Sequence, residues 1–566
     1  MKKLINNPRD VVREMLEGAV ALAPGRALLD TETVIIRYPL PVDRPVAVLS
    51  GGGSGHEPAH AGYVGEGMLT AAVAGDVFTS PSADAVLAGI KAVAGPAGAV
   101  LIVKNYTGDR LNFGLAAEMA RTEGIPVEVV VVADDVALRN TVERDRRRGI
   151  AGTVLVHKIV GAAALSGKSI EEVAELARAA AREIGSMGVA LGPCTLPAVG
   201  RPGFLLAEDE IELGLGIHGE AGVKRSKLLP ADQLVETMLA TIAEDLGLTM
   251  GDCVVLLVNG LGATPPMELD IITRAALTGL RQRGLDVARA WSGTFLSALD
   301  MPGCSLSIFR VNETQLALLD APTDAPAWPG KGAVNFEVPV KATLNVRPAP
   351  QPGSASLSPE GERVRSAAMA AAGALIAAEA TLTDLDTKAG DGDLGSSMAR
   401  GAAAIQALPS AAWQSPSIAL SSMGDALRRS IAGSSGPFYA TALLRASRHI
   451  ADNQPPTSAV WAEAFQLAVE AISDLGGARP GDRTMLDALK PAANAFSESI
   501  SRGHSIEASW NASIFAAQEG ARATAAMKPR LGRASYLGDR AVGVPDGGAI
   551  AASIWIEALG TSIARR

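Results

Sequence analysis

The sequence has few cysteines, few aromatic residues and no excess of positive charge, and each shortage argues against a class of protein. Cys194, Cys253 and Cys304 are widely spaced among 566 residues and form no CxxC pair, so neither a disulfide framework nor a zinc site is indicated. The formal net charge of −9, without a basic stripe, argues against nucleic-acid and anionic-membrane partners. We therefore expect a small-molecule ligand.

Long apolar runs are also scarce. The start, MKKLINNPRDVVREML, has two lysines without the apolar segment of a secretory signal, and no run reaches the ~18 apolar residues of a membrane span. Hydrophobic residues nevertheless make up 48% of the chain, aromatics only 4%, and alanine-rich stretches are frequent. This composition predicts a cytoplasmic protein of several domains with closely packed helices and no membrane association.

The first half of the chain alternates short β-rich runs with helical patterns. The runs are PVAVLS, GAVLIVKN, PVEVVVVADD and GTVLVHK, and the helical patterns include FGLAAEMARTEG and IEEVAELARAAAREI. Runs that are apolar on both faces predict buried parallel strands covered by helices. After residue 184 the pattern changes, and DCVVLLVNGLG and SLSIFRV predict further strands near a helix at 231–246. We therefore expect two α/β subdomains, residues 1–184 and 185–337.

The second half has almost no strand signal. Residues 338–362 are rich in Pro, Ser and Gly, which predicts a linker. Residues 363–566 then show eight helical patterns joined by Gly, Pro and Asp loops, and such a succession predicts an all-helical bundle or barrel. These patterns lie near 363–383, 394–408, 418–430, 436–450, 457–474, 483–499, 506–526 and 547–563. The predicted fold class is multidomain, α/β followed by all-α.

The loop SGGGSGHEPAH, residues 50–60, matches none of the common glycine motifs. The dinucleotide fingerprint ends on His56 or Pro58, no Lys-Ser/Thr of a P-loop follows, and the nucleophile elbow ends on His56. A metal site of His56, Glu57 and His60 is disfavoured because Pro58 opposes the helix that would align the ligands. We interpret the loop as backbone N–H groups around a small polyol at a strand's carboxyl end.

Three more positions suit the chemistry of a polyol or a ketone. Lys104 in IVKNYTGDRLNFG can bond a hydroxyl or carbonyl oxygen, and Asp109 can accept a hydroxyl proton, although a surface ion pair between them is the alternative. His218 lies between glycines in ELGLGIHGEAG. It is either an ordinary loop histidine or a neutral imidazole that attacks a carbonyl carbon.

An acidic loop opens the second half. DLDTKAGDGDLGSS places Asp386, Asp391 and Asp393 within eight residues, where their charges repel unless a hard cation such as Mg²⁺ lies among them. The alternative is a solvated acidic turn. The helix that begins at Leu394 and the loop 433–436 both offer free N–H groups suited to phosphate.

Several long motifs together resemble the ATP-dependent dihydroxyacetone kinases of the single-chain type. In the first half these are SGGGSGHEPAH, GDVFTSPSADAV, IVKNYTGDRLNFGLAAE, RGIAGTVLVHKI and LGIHGE. In the second half they are DLDTKAGDGDLGSS, AGSSGPFYA, GGARPGDRTMLDAL and LGRASYLGDRAVGVPDGGA. The resemblance runs from about residue 10 to 560. It implies a substrate domain of two α/β parts, followed by an eight-helix barrel that carries Mg-ATP at one end.

The resemblance also implies roles for individual residues. His218 would form a covalent hemiaminal with the substrate ketone, with His56 and Asp109 in acid/base roles. Further substrate contacts are implied at Gly53, Ser54, Gly55, Ser80 and Lys104, and metal ligands for about two Mg²⁺ ions at Asp386, Asp391 and Asp393. Nucleotide contacts are implied at Leu394, Gly395, Ser396, Ser397, Ser434, Ser435, Gly436, Gly477, Thr484, Met485, Arg533, Asp546 and Gly547.

The implied activity is transfer of the ATP γ-phosphate to a terminal hydroxyl of a short ketose, first of all dihydroxyacetone, by a homodimer whose nucleotide domain serves the neighbouring subunit. A reversible C–N bond requires a carbonyl and therefore selects ketoses against glycerol. Leu394 stands where the usual GDGDTG motif has threonine, which removes a hydroxyl near the phosphates. Three alternatives stay open: an erythrulose kinase, an FAD-AMP lyase that cyclises its product, and a non-catalytic ketose sensor.

Overall fold

The computed structural model describes residues 2–564 except Arg201, Gly203, Ala221, Phe336, 342–357 and Ala432, and the side chain of Arg533 is also not described. Most of the predicted linker, 338–362, therefore lies outside the described residues. The chain divides into two compact units, Met1–Val340 and Lys341–Arg566. The first unit contains β-sheets together with α-helices, and the second unit is all-helical in its described part.

The first unit contains two six-stranded sheets. The strands of the first sheet are β1 Arg26–Leu28, β2 Val34–Arg37, β3 Ala47–Ser54, β4 Ala71–Val77, β5 Ala99–Lys104 and β6 Val127–Val132, in the spatial order β1-β2-β4-β3-β5-β6. Strands β3, β5 and β6 run parallel, as predicted, together with β4, which the sequence pattern did not predict, while β1 and β2 form an antiparallel edge. Because β3, β4 and β5 are parallel, the loops that follow them meet at one edge of the sheet.

The second sheet departs from the parallel pattern. Its strands are β7 Ile184–Ala190, β8 Glu210–Leu213, β9 Lys224–Lys227, β10 Cys253–Gly260, β11 Asp286–Gly293 and β12 Gly303–Arg310, in the order β11-β10-β12-β7-β8-β9. Of these described pairs, β10 and β11 are parallel and the other four are antiparallel. A strand buried on both faces reads as a continuous apolar run in either direction, so the sequence pattern did not specify it.

Eight α-helices of the described first unit cover these sheets. They are α1 Val11–Ala21, α2 Ala83–Val93, α3 Thr107–Thr122, α4 Thr153–Leu165, α5 Ile170–Arg182, α6 Ala231–Leu246, α7 Pro266–Gln282 and α8 Glu313–Asp320. The prediction of a strand for the run GTVLVHK is wrong, because this run begins α4. This helix is buried on almost every side between the first sheet, α5 and α8, so its apolar residues show no helical period.

The second unit has nine α-helices in its described part, where eight patterns were predicted. They are α9 Pro359–Ala377, α10 Glu379–Ala389, α11 Leu394–Gln406, α12 Pro416–Ser430, α13 Ser435–Asp452, α14 Ser458–Gly476, α15 Leu486–Ser501, α16 Ile506–Ala523 and α17 Gly547–Ala564. The first predicted pattern is two helices, α9 and α10, which bend by 59° at Ala378. From α11 to α17 each helix packs against the next, and α9 packs against both α11 and α17.

These helices surround an apolar cavity of about 530 Å³, lined by residues such as Leu443, Trp461 and Phe496. By length and composition, one helix of the described chain, α17, could cross a membrane, and the bent pair α9–α10 passes the same test together. Such a test is also passed by core helices, and α17 buries Ala549, Ala552 and Ile556 against its neighbours.

Candidate active site

The glycine-rich segment forms the end of β3, and its glycines are required by close packing. A Cβ added at Gly51 would collide with the Val73 carbonyl oxygen, and one at Gly53 would lie 2.5 Å from the Thr79 backbone nitrogen. Both partners belong to β4 or to the loop after it. The glycines therefore let two parallel strands and their following loops approach each other, which leaves the neighbouring loop ends close together.

Gly52 faces two polar side chains, Lys104 at the end of β5 and Asp109 at the start of α3. A Cβ at this position would lie 2.7 Å from Lys104 Nζ and 3.4 Å from Asp109 Oδ2. Lys104 is fully buried and Asp109 is 4% exposed, so the alternative of a surface ion pair does not hold. Burial lowers the pKa of Lys104, while the charges of Asp109 and Glu57 raise it. The structure thus brings these two predicted residues together beside the glycine loop.

The other predicted contacts of this loop are occupied by the protein itself. Ser54 Oγ donates to the Gly75 carbonyl oxygen (2.7 Å), and the Gly55 backbone N–H donates to the Glu57 carboxylate (3.0 Å). Ser80 Oγ accepts from Asn112 Nδ2 (3.3 Å) at the start of α3. Ser54 and Gly55 therefore hold the loop in place in this structure.

His56 is completely buried and has one ring nitrogen without a partner. Its Nδ1 lies 2.8 Å from the Ser297 carbonyl oxygen, so Nδ1 carries the proton and donates it. Its Nε2 is buried and has no hydrogen-bond partner among the described residues. Burial lowers the pKa of His56 well below its ordinary range, and the charges of Lys104 and His218 add to this. Nε2 is therefore a free acceptor.

His218 is held by a carboxylate two residues further along the chain. Its Nδ1 lies 2.8 Å from Glu220 Oε1, and its backbone N–H donates to Oε2 (3.0 Å). Burial raises the pKa of Glu220, but the hydrogen bond and charge of His218 outweigh it and bring the pKa to about 2. This carboxylate places the ring proton on Nδ1 and leaves the Nε2 lone pair for chemistry. The sequence interpretation missed Glu220, although LGIHGE contains it.

An aromatic cluster joins the two predicted histidines. The His56 and His218 ring centroids are 4.8 Å apart, and the rings of Phe78 and Tyr106 meet His218 edge-on at 5.1 and 4.6 Å. Phe78 also stacks on His56 at 5.0 Å. Phe78 follows β4 and Tyr106 follows β5, so the first sheet supplies walls around a histidine of the second. Neither wall residue was predicted.

Arg148 anchors the segment that carries His218. Its side chain donates to the Gly214 carbonyl oxygen (2.7 Å) and forms an ion pair with Asp135 (2.7 Å). Burial raises the pKa of Asp135 to about 6, against the lowering effect of Arg148. Arg148 thus connects the segment after β6 to the loop after β8, four residues before His218.

The second unit brings the three predicted carboxylates together. Asp386, Asp391 and Asp393 can each place an oxygen within 4.8 Å of the others. Asp386 Oδ2 also accepts from the Leu394 backbone N–H (3.2 Å), which ties the end of α10 to the start of α11. A set of oxygen ligands alone fits Mg²⁺, which also keeps waters and takes phosphate oxygens.

The starts of several helices meet near these carboxylates. A Cβ at Gly547, the first residue of α17, would lie 2.6 Å from Leu394 Cδ2, at the start of α11. A Cβ at Gly548 would lie 3.7 Å from Met485 Cβ, just before α15. Because helix starts carry free N–H groups and the positive end of the helix dipole, this end of the unit favours phosphate.

The remaining predicted nucleotide residues lie in the loops and helix starts of the same unit. Gly395 and Gly436 permit close packing, Gly477 ends α14 with φ 68°, and the backbone N–H of Thr484 donates to Asp487 (2.8 Å). Ser397 is buried and accepts from Arg400 (3.1 Å), whereas the hydroxyl of Ser396 donates to the Asp393 carbonyl (3.1 Å). Ser434 and Ser435 open α13, and Arg533 begins a 3-10 segment, Arg533–Ala541.

Arg483 was missed by the sequence interpretation. It is 1% exposed, has φ 61°, and its Nη2 donates to the carbonyl oxygens of Ala541 (3.1 Å) and Val544 (2.8 Å). Its Nε and Nη1 are buried without a partner among the described residues. Burial raises the pKa of neighbouring Asp546 to about 6, although the Ala549 N–H and the Arg483 charge lower it. Arg483 thus fastens the loop before α17 to the loop before α15.

Comparison with known proteins gives one consistent result for both units. Residues 17–327 match the Dak1 domain family and residues 388–561 match the DAK2 domain family. Human triokinase/FMN cyclase is 42% identical over 577 residues, which cover 99% of this chain and 98% of the relative. The D-erythrulose kinase of Mycolicibacterium smegmatis is 37% identical over 562 residues, covering 97% and 96%. The crystal structure of the C. freundii dihydroxyacetone kinase with AMP-PNP and Mg²⁺ matches with TM-score 0.64 and 35% identity over 99% of both chains.

Proposed function

Because the chain belongs to the dihydroxyacetone kinase family, with Dak1 and DAK2 domains in one polypeptide, we propose that it phosphorylates a short ketose held covalently on His218. The chain is an ATP-dependent kinase, and dihydroxyacetone is the first candidate substrate. The observation that carries the covalent step is the pairing of His218 Nδ1 with Glu220 beside the free acceptor of His56.

In the proposed step, the Nε2 lone pair of His218 forms a C–N bond with the ketone carbon. The C=O π pair moves to the oxygen, which takes up a proton from the solvent, and the Nδ1 proton stays hydrogen-bonded to Glu220. The carboxylate of Glu220 then balances the positive charge on the ring. This step fixes the remaining hydroxymethyl group and converts part of the binding free energy into orientation for phosphoryl transfer.

Three buried groups are proposed to handle the substrate hydroxyls and the transferred proton. Asp109 takes the proton of the attacking hydroxyl, His56 Nε2 accepts a hydrogen bond from a hydroxyl, and the Lys104 ammonium donates to a substrate oxygen. All three are at most 4% exposed, so their electrostatic interactions are stronger than they would be in water. We propose Gly53 and Ser80 as neighbouring contacts of the ketose.

For the second unit, we propose an eight-helix barrel formed by α9 and α11 to α17, with α10 at the end that binds Mg-ATP. Its support is the packing of each helix on the next and of α9 on α17. Asp386, Asp391 and Asp393 would hold about two Mg²⁺ ions, which neutralise phosphate charge when bound. The predicted residues at the helix starts would contact the nucleotide.

We further propose the domain division 1–184, 185–337, 338–362 and 363–566, with the first two segments as substrate subdomains and the third as a linker. The protein is proposed to act in the cytoplasm as a homodimer, with the nucleotide domain serving the neighbouring subunit. The equilibrium mass at several concentrations tests the dimer. Mixing His218→Ala with Asp391→Ala subunits tests the exchange, since activity returns only if sites are shared between subunits.

The covalent step is tested by His218→Ala. The variant should lose the mass increase that the wild type shows with dihydroxyacetone and should lose turnover, while nucleotide binding stays unchanged. A matched control is His449→Ala, which removes a histidine paired with Glu463 in the second unit (3.4 Å). If His218→Ala phosphorylated the ketose at the normal rate and still rejected glycerol, the hemiaminal proposal would be wrong.

Two relatives favour specific alternative activities. The D-erythrulose kinase makes a four-carbon ketose the second candidate substrate, and kcat/KM for dihydroxyacetone against both erythrulose enantiomers decides between them. The triokinase/FMN cyclase supports a second activity as an FAD-AMP lyase that forms a cyclic product. Release of AMP from FAD in the presence of Mn²⁺ supports that activity, and the absence of release removes it.

A further inference from the structure

Three buried basic side chains, Lys104, His60 and His157, form a chain beside the proposed ketose site, and the proposed reaction gives a role to Lys104 alone. Lys104 Nζ is 3.0 Å from His60 Nε2, and His60 Nδ1 is 2.9 Å from His157 Nε2 and 3.4 Å from Ser50 Oγ. Lys104 and His157 are fully buried and His60 is 5% exposed. Such a chain in a protein interior is costly unless its hydrogen bonds are arranged consistently.

The hydrogen bonds of this chain run in one direction. An ammonium group can only donate, so His60 Nε2 accepts from Lys104 and the His60 proton lies on Nδ1. His60 then donates to His157 Nε2, which leaves the proton of His157 on Nδ1, a buried atom without a partner among the described residues. Burial and the charge of Lys104 lower the pKa of both histidines, which agrees with two neutral rings.

Among the described side chains, His60 is the hydrogen-bond partner of the Lys104 ammonium. The carboxylates of Asp109 and Glu57 act on Lys104 through their charges. A neutral imidazole accepts one N–H bond without neutralising the positive charge, whereas a carboxylate in its place would form an ion pair. Two of the three N–H bonds therefore have no partner among the described side chains, and Nζ itself lies beside Gly52, where a Cβ would be 2.7 Å away.

We propose that His60 is a positioning residue that holds the Lys104 ammonium over Gly52, with its two other N–H bonds directed to the ketose. This inference rests on the function proposed above, because it gives Lys104 a substrate oxygen to bind. His157 completes the arrangement by accepting the His60 proton, which keeps His60 Nε2 as the acceptor. His60 itself does not touch the substrate.

Two substitutions of His60 separate its two hydrogen bonds. His60→Gln can place an amide oxygen where Nε2 lies and keep the acceptor for Lys104, whereas His60→Asn reaches only the position of Nδ1. His60→Asn should lower kcat/KM for dihydroxyacetone about 10- to 100-fold, the loss expected for a hydrogen bond to a charged group. KM for ATP should stay the same, and His60→Gln should remain within about threefold of the wild type.

A double-mutant cycle with Lys104→Met tests whether His60 acts through Lys104. In the Lys104→Met background, His60→Asn should cause no further loss of kcat/KM, because the group that it positions is gone. Additive losses would overturn the proposal, as would equal losses in His60→Asn and His60→Gln. Thermal unfolding and nucleotide binding of each variant show whether the chain is folded.

If His60→Asn does not fold, His157→Leu serves as the second variant, because it leaves His60 but removes its acceptor. It should raise KM for the ketose without changing KM for ATP, and an unchanged ketose KM would overturn the proposal. Failure of the proposed function is visible separately, since the wild type would then show neither a ketose adduct nor ketose-dependent ADP release. A working wild type with insensitive His60 variants contradicts only the positioning role.

Discussion

At the scale of single residues, the atoms without partners indicate where a ligand belongs. His56 Nε2 and the Tyr106 hydroxyl are both buried and unpaired among the described residues, and both rings lie against His218. A buried polar atom without a hydrogen bond destabilises the protein by about 1–3 kcal/mol. Burial raises the pKa of Tyr106 well above its ordinary range, so its hydroxyl stays a donor. Hydroxyl groups of a small ketose can supply the missing bonds.

The buried neutral histidines make the first unit sensitive to acid. Burial lowers the pKa of His157 from 6.5 to about 3, so below pH 6.5 the unfolded chain takes up a proton that the folded chain does not. Stability is therefore complete above pH 6.5 and falls as the pH decreases toward 3. Between pH 7.5 and 5.5 this one residue should lower the free energy of unfolding by about 1.4 kcal/mol.

The measurement is denaturant unfolding of the wild type and of His157→Gln at both pH values. The wild type should lose more stability than the variant on acidification. His56 and His60 act in the same direction, because burial also lowers the pKa of each. An equal loss of stability in wild type and variant would contradict the prediction. It would show that the pKa of His157 is the same in the folded protein and in the unfolded chain.

At the scale of elements, Arg483 connects two loops that the predicted nucleotide residues occupy. Its guanidinium binds two carbonyl oxygens of the loop before α17, and its own loop leads into α15. Both bonds come from Nη2, which lies one bond beyond the reach of a lysine ammonium, so Arg483→Lys should loosen the starts of both helices. KM for ATP should rise several-fold while the ketose adduct on His218 forms normally.

The control for this variant is Arg522→Lys, which changes an exposed arginine of α16 paired with Glu519. ATP binding measured by calorimetry and adduct formation measured by mass give the two readouts. An Arg483→Lys protein that keeps its ATP affinity would show that the bridge between the loops does not support the nucleotide site. Arg483 has φ 61°, in the left-handed region of the backbone that glycine adopts more readily than alanine. Arg483→Gly should therefore strain the backbone less than Arg483→Ala.

The sequence pattern predicted elements best where the local signal is complete. Strands β3, β5, β6, β10 and β12 and the helix α6 lie where the apolar runs and the helical period predicted them. Strand direction in the second sheet, the helix α4 and the bend between α9 and α10 depend on burial and packing, which a local window does not contain. Glu220, Phe78, Tyr106 and Arg483 were missed for the same reason, because contacts across sheets and loops define their roles.

At the scale of the whole molecule, the two halves of the proposed reaction are assigned to different compact units. His218, His56 and Asp109 lie in Met1–Val340, whereas the three clustered carboxylates lie in Lys341–Arg566. Ketose capture and nucleotide binding should therefore be separable by single substitutions. The proximity of the three carboxylates was predictable from their local spacing, whereas that of His56 and His218 was predictable only through the family resemblance.

Asp391→Ala should remove Mg-ATP binding and leave the proposed ketose adduct on His218 intact, because the residues proposed to form the adduct all belong to the first unit. Calorimetry with AMP-PNP and Mg²⁺ and intact-protein mass with dihydroxyacetone measure the two properties. Asp384→Ala is a matched control, since Asp384 lies on α10 beside the cluster but pairs with Lys388 (2.6 Å) at the surface. Loss of the adduct in Asp391→Ala would show that capture depends on nucleotide.

The glycine segment of β3 also limits how this protein can evolve. A Cβ at Gly51 or Gly53 would overlap backbone atoms of the neighbouring strand or loop. Substitution of either glycine is therefore not tolerated without a shift of the backbone. Substitutions that adapt the site to a larger or smaller ketose should therefore fall on Phe78 and Tyr106, whose rings lie against His218. Natural divergence in substrate range within such a scaffold should accumulate at these two positions, while Gly51 and Gly53 stay constant.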